Sequence, residues 1–339
     1  MDEFGLIRSL THGRQSRELL SKNGVVVGIG DDSAVTAPSP GQHTVMSCDT
    51  MVQDVHFKTI TMNSADVGFK AMAAAVSDIA AMGAAPRHAL VSISIPKRLP
   101  VTAVNELYEG LYACADAFGV AVIGGDTTSS PESLVISVTA VGEAEPGRAL
   151  MRSAARPGDI VFVTGWPGCS AAGLDYLLGR AVASDPDETF AQPLETLVRA
   201  HRRPLPRVEA GRILLLSGRC HALNDVSDGV ASEAWEIAEA SACGIWLDEA
   251  SLPVHPDMTA YAAETRRNPL DWLLFGGEDY ELIGTMPRMY AEQVGGAVQA
   301  TGLPFTVIGE VTDSFAGVRM RSSDGRTETL DKKGYNHFA

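Results

Sequence analysis

The sequence predicts an α/β protein of two domains. Its 339 residues are more than one small core organises. Stretches of strand-like and helix-like periodicity alternate along the chain. Arg156-Pro157-Gly158-Asp159 is a turn signal between two such periodic regions. The boundary is placed a few residues before that turn, giving domains over 1–148 and 149–339. With hydrophobic residues at 45% and charged residues at 20%, the composition is that of an ordinary globular chain.

Taken in order, residues 2–21 read as a helix with Phe4, Ile7 and Leu10 on one side. Val25–Ile29 reads as a strand entering Gly30-Asp31-Asp32. A Pro38-Ser39-Pro40-Gly41 turn leads to a strand over Thr44–Met51. Residues 64–82 carry Val67, Ala71, Ala75, Ile79 and Met82 at helical spacing and stop at Gly83 and Pro86. His88–Ile95 alternates as a strand, 102–118 is a helix stopped by Gly119, and Val120–Ile123 is a strand ending in Gly124-Gly125-Asp126. Leu134–Val141 returns as a strand.

The second half repeats the mixture. A strand at Ile160–Thr164 and a glycine-spaced loop precede a helix near 169–179. An acidic loop around Asp185–Glu188 leads to helices over 190–201 and 206–217. Asn224–Gly229 then precedes a helix ending at Ser241, followed by a strand at Ile245–Leu247. Phe275-Gly276-Gly277-Glu278-Asp279 interrupts apolar stretches, and strands at 305–311 and 317–321 precede the tail.

Lys and Arg number 27 against 42 Asp and Glu, a formal net charge of −15. Such a surface repels nucleic acid and anionic membranes, so neither is an expected partner. The five cysteines include no C-x-x-C pair, which argues for reduced thiols over disulfides or a zinc site. No cationic-then-apolar leader opens the sequence and no apolar run spans a bilayer, so a cytoplasmic location is expected.

The familiar phosphate-binding loops are missing. There is no G-x-x-x-x-G-K-[ST], and Gly28-Ile29-Gly30-Asp31-Asp32-Ser33 fails G-x-G-x-x-G at its last position. Aspartates recur instead at element ends: Asp31-Asp32, Asp49, Asp126, and the pair Asp225 and Asp228, which could converge in a turn or helical segment. Each alone is an ordinary turn or capping residue. Asp78 is different, because it sits among Ala75, Val76, Ile79 and Ala80, where an isolated carboxylate is costly to bury. A strand through Ser47-Cys48-Asp49 points Ser47 and Asp49 to one face. If these carboxylates meet, cations must bridge them, and all-oxygen ligands select Mg²⁺ or Mn²⁺.

Read together, Gly28-Ile29-Gly30-Asp31-Asp32, Val55-His56-Phe57, Ser77-Asp78-Ile79-Ala80-Ala81-Met82-Gly83, Gly124-Gly125-Asp126-Thr127-Thr128 and Leu150-Met151-Arg152-Ser153 resemble successive blocks of the thiamine-monophosphate kinase family. Val226-Ser227-Asp228-Gly229, Gly276-Gly277-Glu278-Asp279-Tyr280-Glu281-Leu282 and Lys333-Gly334-Tyr335-Asn336-His337-Phe338 continue the resemblance almost to the end. The early blocks are shared in outline with the superfamily of aminoimidazole ribonucleotide synthetase, whereas G-G-E-D-Y-E-L and the tail are more specific.

The resemblance implies an aminoimidazole ribonucleotide synthetase-like α/β (α+β) fold, with N-terminal domains pairing in a homodimer into a shared β-barrel and the active site in a cleft near that interface. It implies an N-terminal domain for dimerisation and for binding ATP and Mg²⁺, with the C-terminal domain completing the nucleotide and substrate site. The activity it implies is transfer of the γ-phosphate of ATP, assisted by several Mg²⁺ ions, onto thiamine monophosphate. Metal ligands would fall on Asp32, Ser47, Cys48, Asp49, Asp78, Asp126, Asp225 and Asp228. Nucleotide contacts would fall on Tyr112, Gly125, Asp126, Arg152 and Ser227, with Tyr108 one turn from Tyr112. Substrate contacts would fall on His56, Glu278 and Tyr335, and the reacting phosphates on Asp78, Asp126, Arg152 and Asp228. Relatives often carry Thr where Cys48 stands, so a backbone carbonyl would serve there.

The rival readings are another ATP-dependent member of the superfamily, a non-catalytic thiamine phosphate or nucleotide sensor, and a metal-dependent phosphatase. The first cysteine is Cys48, which argues against a selenophosphate synthetase with its N-terminal reactive cysteine. The ending Asn336-His337-Phe338-Ala339 argues against a hydrogenase-maturation relative.

Overall fold

A computed structural model describes residues 3–182 and 194–332. The acidic loop at Asp185–Glu188, the start of the helix expected over 190–201, and Tyr335 lie outside the described residues. The chain divides into two compact units, Met1–Ile79 with Ala84–Gly147, and Ala80–Gly83 with Arg148–Ala339.

The first unit begins with α1 (Glu3–Thr11) and α2 (Arg17–Lys22), where one helix was expected. The break has a local cause: Ser16 caps the second helix, its hydroxyl accepting from Leu19 N at 3.1 Å. Short strands β1 (Val25–Val27) and β2 (Val35–Thr36) pair with each other. Then follow β3 (His43–Val52), α3 (Ser64–Ala81), β4 (Ala85–Pro96), α4 (Val101–Ala117), β5 (Ala121–Ser130) and β6 (Val135–Ala144). The main sheet has the order β3-β6-β4-β5, antiparallel except for β4 and β5, which α4 connects as a parallel crossover.

Along β3, Ser47, Asp49 and Met51 are more buried than Met46, Cys48 and Thr50, so the two sets occupy opposite faces. The strand expected to end at Gly124-Gly125-Asp126 instead runs through these residues to Ser130, with Gly125 opposite Val91 and Asp126 opposite Ser92. A Cβ on Gly125 would lie 1.8 Å from Val91 O. Glycine here lets two strands pass closely and does not end one.

The second unit holds β7 (Asp159–Thr164), α5 (Cys169–Val182), α6 (Glu195–Arg202), α7 (Val208–Ser217), β8 (Ala222–Val226), α8 (Val230–Ser241) and β9 (Gly244–Asp248). It continues with α9 (Pro256–Thr265), α10 (Pro269–Phe275), β10 (Glu281–Pro287), α11 (Ala291–Gln299), β11 (Phe305–Thr312), β12 (Gly317–Arg321) and β13 (Thr327–Thr329). The seven strands order as β13-β12-β9-β11-β7-β10-β8. Val161, Val163, Ile245, Ile283 and Ile308 of the sheet bury against Ala234 and Ile237 of α8 and Leu273 of α10.

The helices α9 and α10 lie in the apolar stretch left undivided from sequence. Each begins with a proline after a capping residue, His255 or Asn268. Asp225, expected to converge with Asp228 in a turn or helical segment, lies with Asn224 in a strand. They belong to β8 and pair with Ile283 and Leu282 of β10, while Gly229 is the N-cap of α8. Among the described residues no helix is long and apolar enough to cross a membrane. All five cysteines are unpaired, and four are buried; Cys48 is exposed.

Candidate active site

In the first unit, β3 and α3 bring two of the expected metal ligands together: Ser47 Oγ donates to Asp78 Oδ2. Asp49 shares the face of Ser47, with Oδ2 shielded from solvent. The Cys48 side chain projects the other way, its Sγ 3.4 Å from Ser137 Oγ. Only its backbone can therefore act beside Ser47 and Asp49.

Asp32, in the loop after β1, is exposed, and its amide donates to Asp31 Oδ1 at 2.9 Å. Asp32, Gly125 and Asp126 all line a pocket of about 860 Å³, which Tyr108 also lines. Burial, only partly offset by a bond to Thr127, pushes the Tyr108 hydroxyl up to about 12, so it stays protonated at neutral pH. Tyr112 lines a neighbouring pocket of about 540 Å³ together with Arg8, His12 and Arg14. The two tyrosine rings are 6.3 Å apart.

Among the described residues, no three His, Cys, Asp or Glu side chains converge into a ready-made cage. The side chains expected to bind metal are hydroxyl and carboxylate oxygens, apart from Cys48, whose thiol faces away. That donor set fits Mg²⁺, a hard ion commonly held by one or two carboxylates together with substrate phosphates and water.

His56 sits just after β3, where Asp54 takes the left-handed φ of +66°. Val52 N donates to His56 Nδ1 at 3.0 Å. The neutral ring consequently carries its proton on Nε2, which makes that edge a donor.

In the second unit the expected residues are wired to one another. Arg152 Nε donates to Asn224 Oδ1 at 2.9 Å and lies 3.3 Å from Glu236 Oε2. Asn224 Nδ2 donates to Glu233 and, at 3.1 Å, to Glu236. Glu233 Oε1 accepts from Ser227 Oγ at 3.2 Å and from Asp228 N at 3.0 Å. Burial, with Asp225, Glu236 and Asp228 nearby, pushes the Glu233 carboxyl well above its usual range.

The Gly-Gly-Glu-Asp-Tyr segment folds onto this turn. Glu278 N donates to Ser227 O at 2.7 Å and Tyr280 N to Val226 O at 2.9 Å. A Cβ on Gly277 would lie 2.3 Å from Ser227 O, so only glycine lets the backbones approach this closely. Glu278 and Tyr280 both adopt positive φ, a strained conformation for such residues that often marks functional segments. The Glu278 carboxylate lies 3.9 Å from His201 Nδ1. Asp279 accepts from Gly168 N at 2.6 Å and Ser170 N at 2.9 Å, at the start of α5. Glu281 is held by Thr164 and by a two-point contact from Arg207.

Sequence reasoning missed Asn224, Glu233 and the capping role of Asp279. The signal for Glu233 was present: like Asp78, it is an acid in an apolar helix, among Ala231, Ala234 and Ile237. Nothing in the sequence marked Asn224, whose role depends on its neighbours across β8 and α8.

Residues 30–144 match the AIR synthase related protein, N-terminal domain, and residues 156–320 match the AIR synthase related protein, C-terminal domain. The thiamine-monophosphate kinase of Bacillus subtilis is 42% identical over 338 residues, covering 100% of both chains. A crystal structure of thiamine-monophosphate kinase from Stenotrophomonas maltophilia superposes with a TM-score of 0.81 at 33% identity, covering 96% of this chain and 98% of that one. AaThiL complexed with AMPPCP and TMP superposes with a TM-score of 0.76 at 32% identity, covering 99% and 97%.

Proposed function

The chain belongs to the thiamine-monophosphate kinase family, and we propose that it transfers the γ-phosphate of ATP directly onto the phosphate of thiamine monophosphate, forming thiamine pyrophosphate with the help of several Mg²⁺ ions. The observation that carries this reading is the pocket that Asp32, Gly125 and Asp126 line together. In a chain of net charge −15, two polyanionic substrates need cations beyond the few basic side chains near them. When bound, Mg²⁺ would neutralise phosphate charge and align the donor and acceptor oxygens for in-line transfer.

The chain's own residues hold and orient. Asp32, Ser47, Asp49, Asp78, Asp126, Asp225 and Asp228, with the carbonyl of Cys48, are assigned to the metal ions. Gly125 supplies close backbone approach, while the Arg152 fork takes phosphate oxygens of the nucleotide and Ser227 is assigned to the nucleotide with its hydroxyl turning there from Glu233. Tyr112 is assigned to the nucleotide, and the Tyr108 hydroxyl, next to the Asp126 segment, is an alternative donor to it.

The acceptor needs no general base, because a phosphate monoester with a second pKa of ~6 is mostly dianionic at neutral pH. His56 accordingly serves as a donor through Nε2. Glu278 offsets the thiazolium charge or bonds the aminopyrimidine. Tyr335 is assigned to the substrate ring on the resemblance of the tail alone. Two copies pair through the open face of the first unit's sheet, where Met46 is 69% exposed, and the enzyme acts in the cytoplasm.

The test is to incubate the chain with ATP, Mg²⁺ and thiamine monophosphate and follow thiamine pyrophosphate by chromatography, with free thiamine as control. Product from the monophosphate alone, abolished by EDTA, is expected. No product from folded protein at saturating substrate would remove the reading.

A further inference from the structure

The side chain of Arg152 is gripped at one nitrogen. Among the described residues its contacts, to Asn224 Oδ1 and Glu236 Oε2, both run through Nε. Asn224 is 2% exposed, and its amide lies between unlike charges. The Nδ2 end faces the carboxylates of Glu233 and Glu236, while the Oδ1 end faces the guanidinium. A flipped amide would set NH₂ against the Arg152 guanidinium, donor against donor, so the guanidinium decides its orientation. Glu233 is in turn fixed by Ser227 Oγ and Asp228 N.

We infer that Asn224 is a positioning residue that holds Arg152 by Nε so that its two terminal nitrogens present a fork to the nucleotide phosphates, a role that rests on the assignment of Arg152 to the nucleotide. A guanidinium anchored in this way loses less side-chain freedom when phosphate arrives than one swinging in solvent. The same Glu233 carboxylate bonds Ser227 and Asp228, so the arginine and the Ser-Asp turn share one buried anchor.

The test is a double-mutant cycle on the full chain. The dissociation constant of AMPPCP is measured by calorimetry with saturating Mg²⁺, alongside KM for ATP and for thiamine monophosphate. Asn224→Leu is expected to weaken AMPPCP about tenfold, the scale of a hydrogen bond to a charged group, with KM for thiamine monophosphate unchanged. In an Arg152→Ala background the same change is expected to have little further effect. Asn224→Ser, too short to reach Arg152, should behave alike and covers the case in which the leucine variant does not fold.

Equal weakening in both backgrounds, or unchanged AMPPCP affinity in the folded Asn224 variants, would overturn the positioning role and leave the Arg152 assignment standing. An Arg152→Ala enzyme with unaltered AMPPCP affinity would overturn that assignment and the role of Asn224 with it.

Discussion

The two units hold their acidic residues in opposite ways. In the first, Asp32 and Asp126 are exposed on the wall of one pocket, and the bond from Ser47 to Asp78 ties a strand to a helix behind them. In the second, Glu233 is buried and hydrogen-bonded to Asn224, Ser227 and Asp228, while Asp279 accepts two amides and Glu281 meets Arg207. The contrast teaches a division of labour. Asp32 and Asp126 leave carboxylate lone pairs open to the pocket, as the proposed metal role requires, whereas Glu233, Asp279 and Glu281 use theirs on protein partners that fix the turns carrying Ser227, Asp228 and Glu278.

This contrast can be broken in graded steps. Asp126→Asn removes an exposed carboxylate proposed to hold metal, so a large fall in kcat is expected with an unfolding temperature close to wild type; a comparable loss of stability would place Asp126 with the structural acids. Arg207→Ala should do the reverse, leaving Glu281 buried without its cation at a cost of about 3 kcal/mol in stability. Thermal unfolding with and without AMPPCP checks this, and a variant as stable as wild type would contradict it.

Asp279→Ala uncovers two buried amides at the start of α5 and should cost about 2 kcal/mol, read as a lower unfolding temperature. Arg87→Ala tests an acid of the first unit that is held by protein partners. Burial alone would raise the Glu143 carboxyl, but the amide and hydroxyl of Ser39 and the Arg87 guanidinium outweigh it and hold it below the usual range. Its stabilisation is therefore complete above the unfolded pKa of about 4.3 and fades as pH falls through the folded value. The unfolding temperature of Arg87→Ala should lag wild type at pH 7 and converge with it as the pH falls through that folded value; a constant gap would show that charge is not the cause. The smallest effect is expected at Cys48→Ser, since that side chain faces away from Ser47 and Asp49: kcat should stay within about twofold.

How much of this was legible in the sequence followed from the range of the interaction. The helix carrying Asp78 and the alternation of Ser47 and Asp49 depend on local periodicity, and both are present in α3 and β3. The glycines were harder. Glycine's preference for turns marks Gly124-Gly125 as a strand end, yet the requirement at Gly125 is a close approach to Val91. The spacing of Asp225 and Asp228 suggests a turn or helical segment, but pairing with β10 draws Asn224 and Asp225 into a strand. The link from Arg152 through Asn224 to Glu233 joins residues 72 and 9 positions apart. No local pattern reports such contacts.

The most direct measurement is a titration of Mn²⁺, as a paramagnetic substitute for Mg²⁺, followed by electron paramagnetic resonance in the presence of AMPPCP. Wild type is expected to bind more than one ion per chain, Asp126→Asn fewer, and Asp279→Asn as many as wild type. Equal occupancy in all three, or loss only in Asp279→Asn, would contradict the division between acids that meet ions and acids that hold the fold.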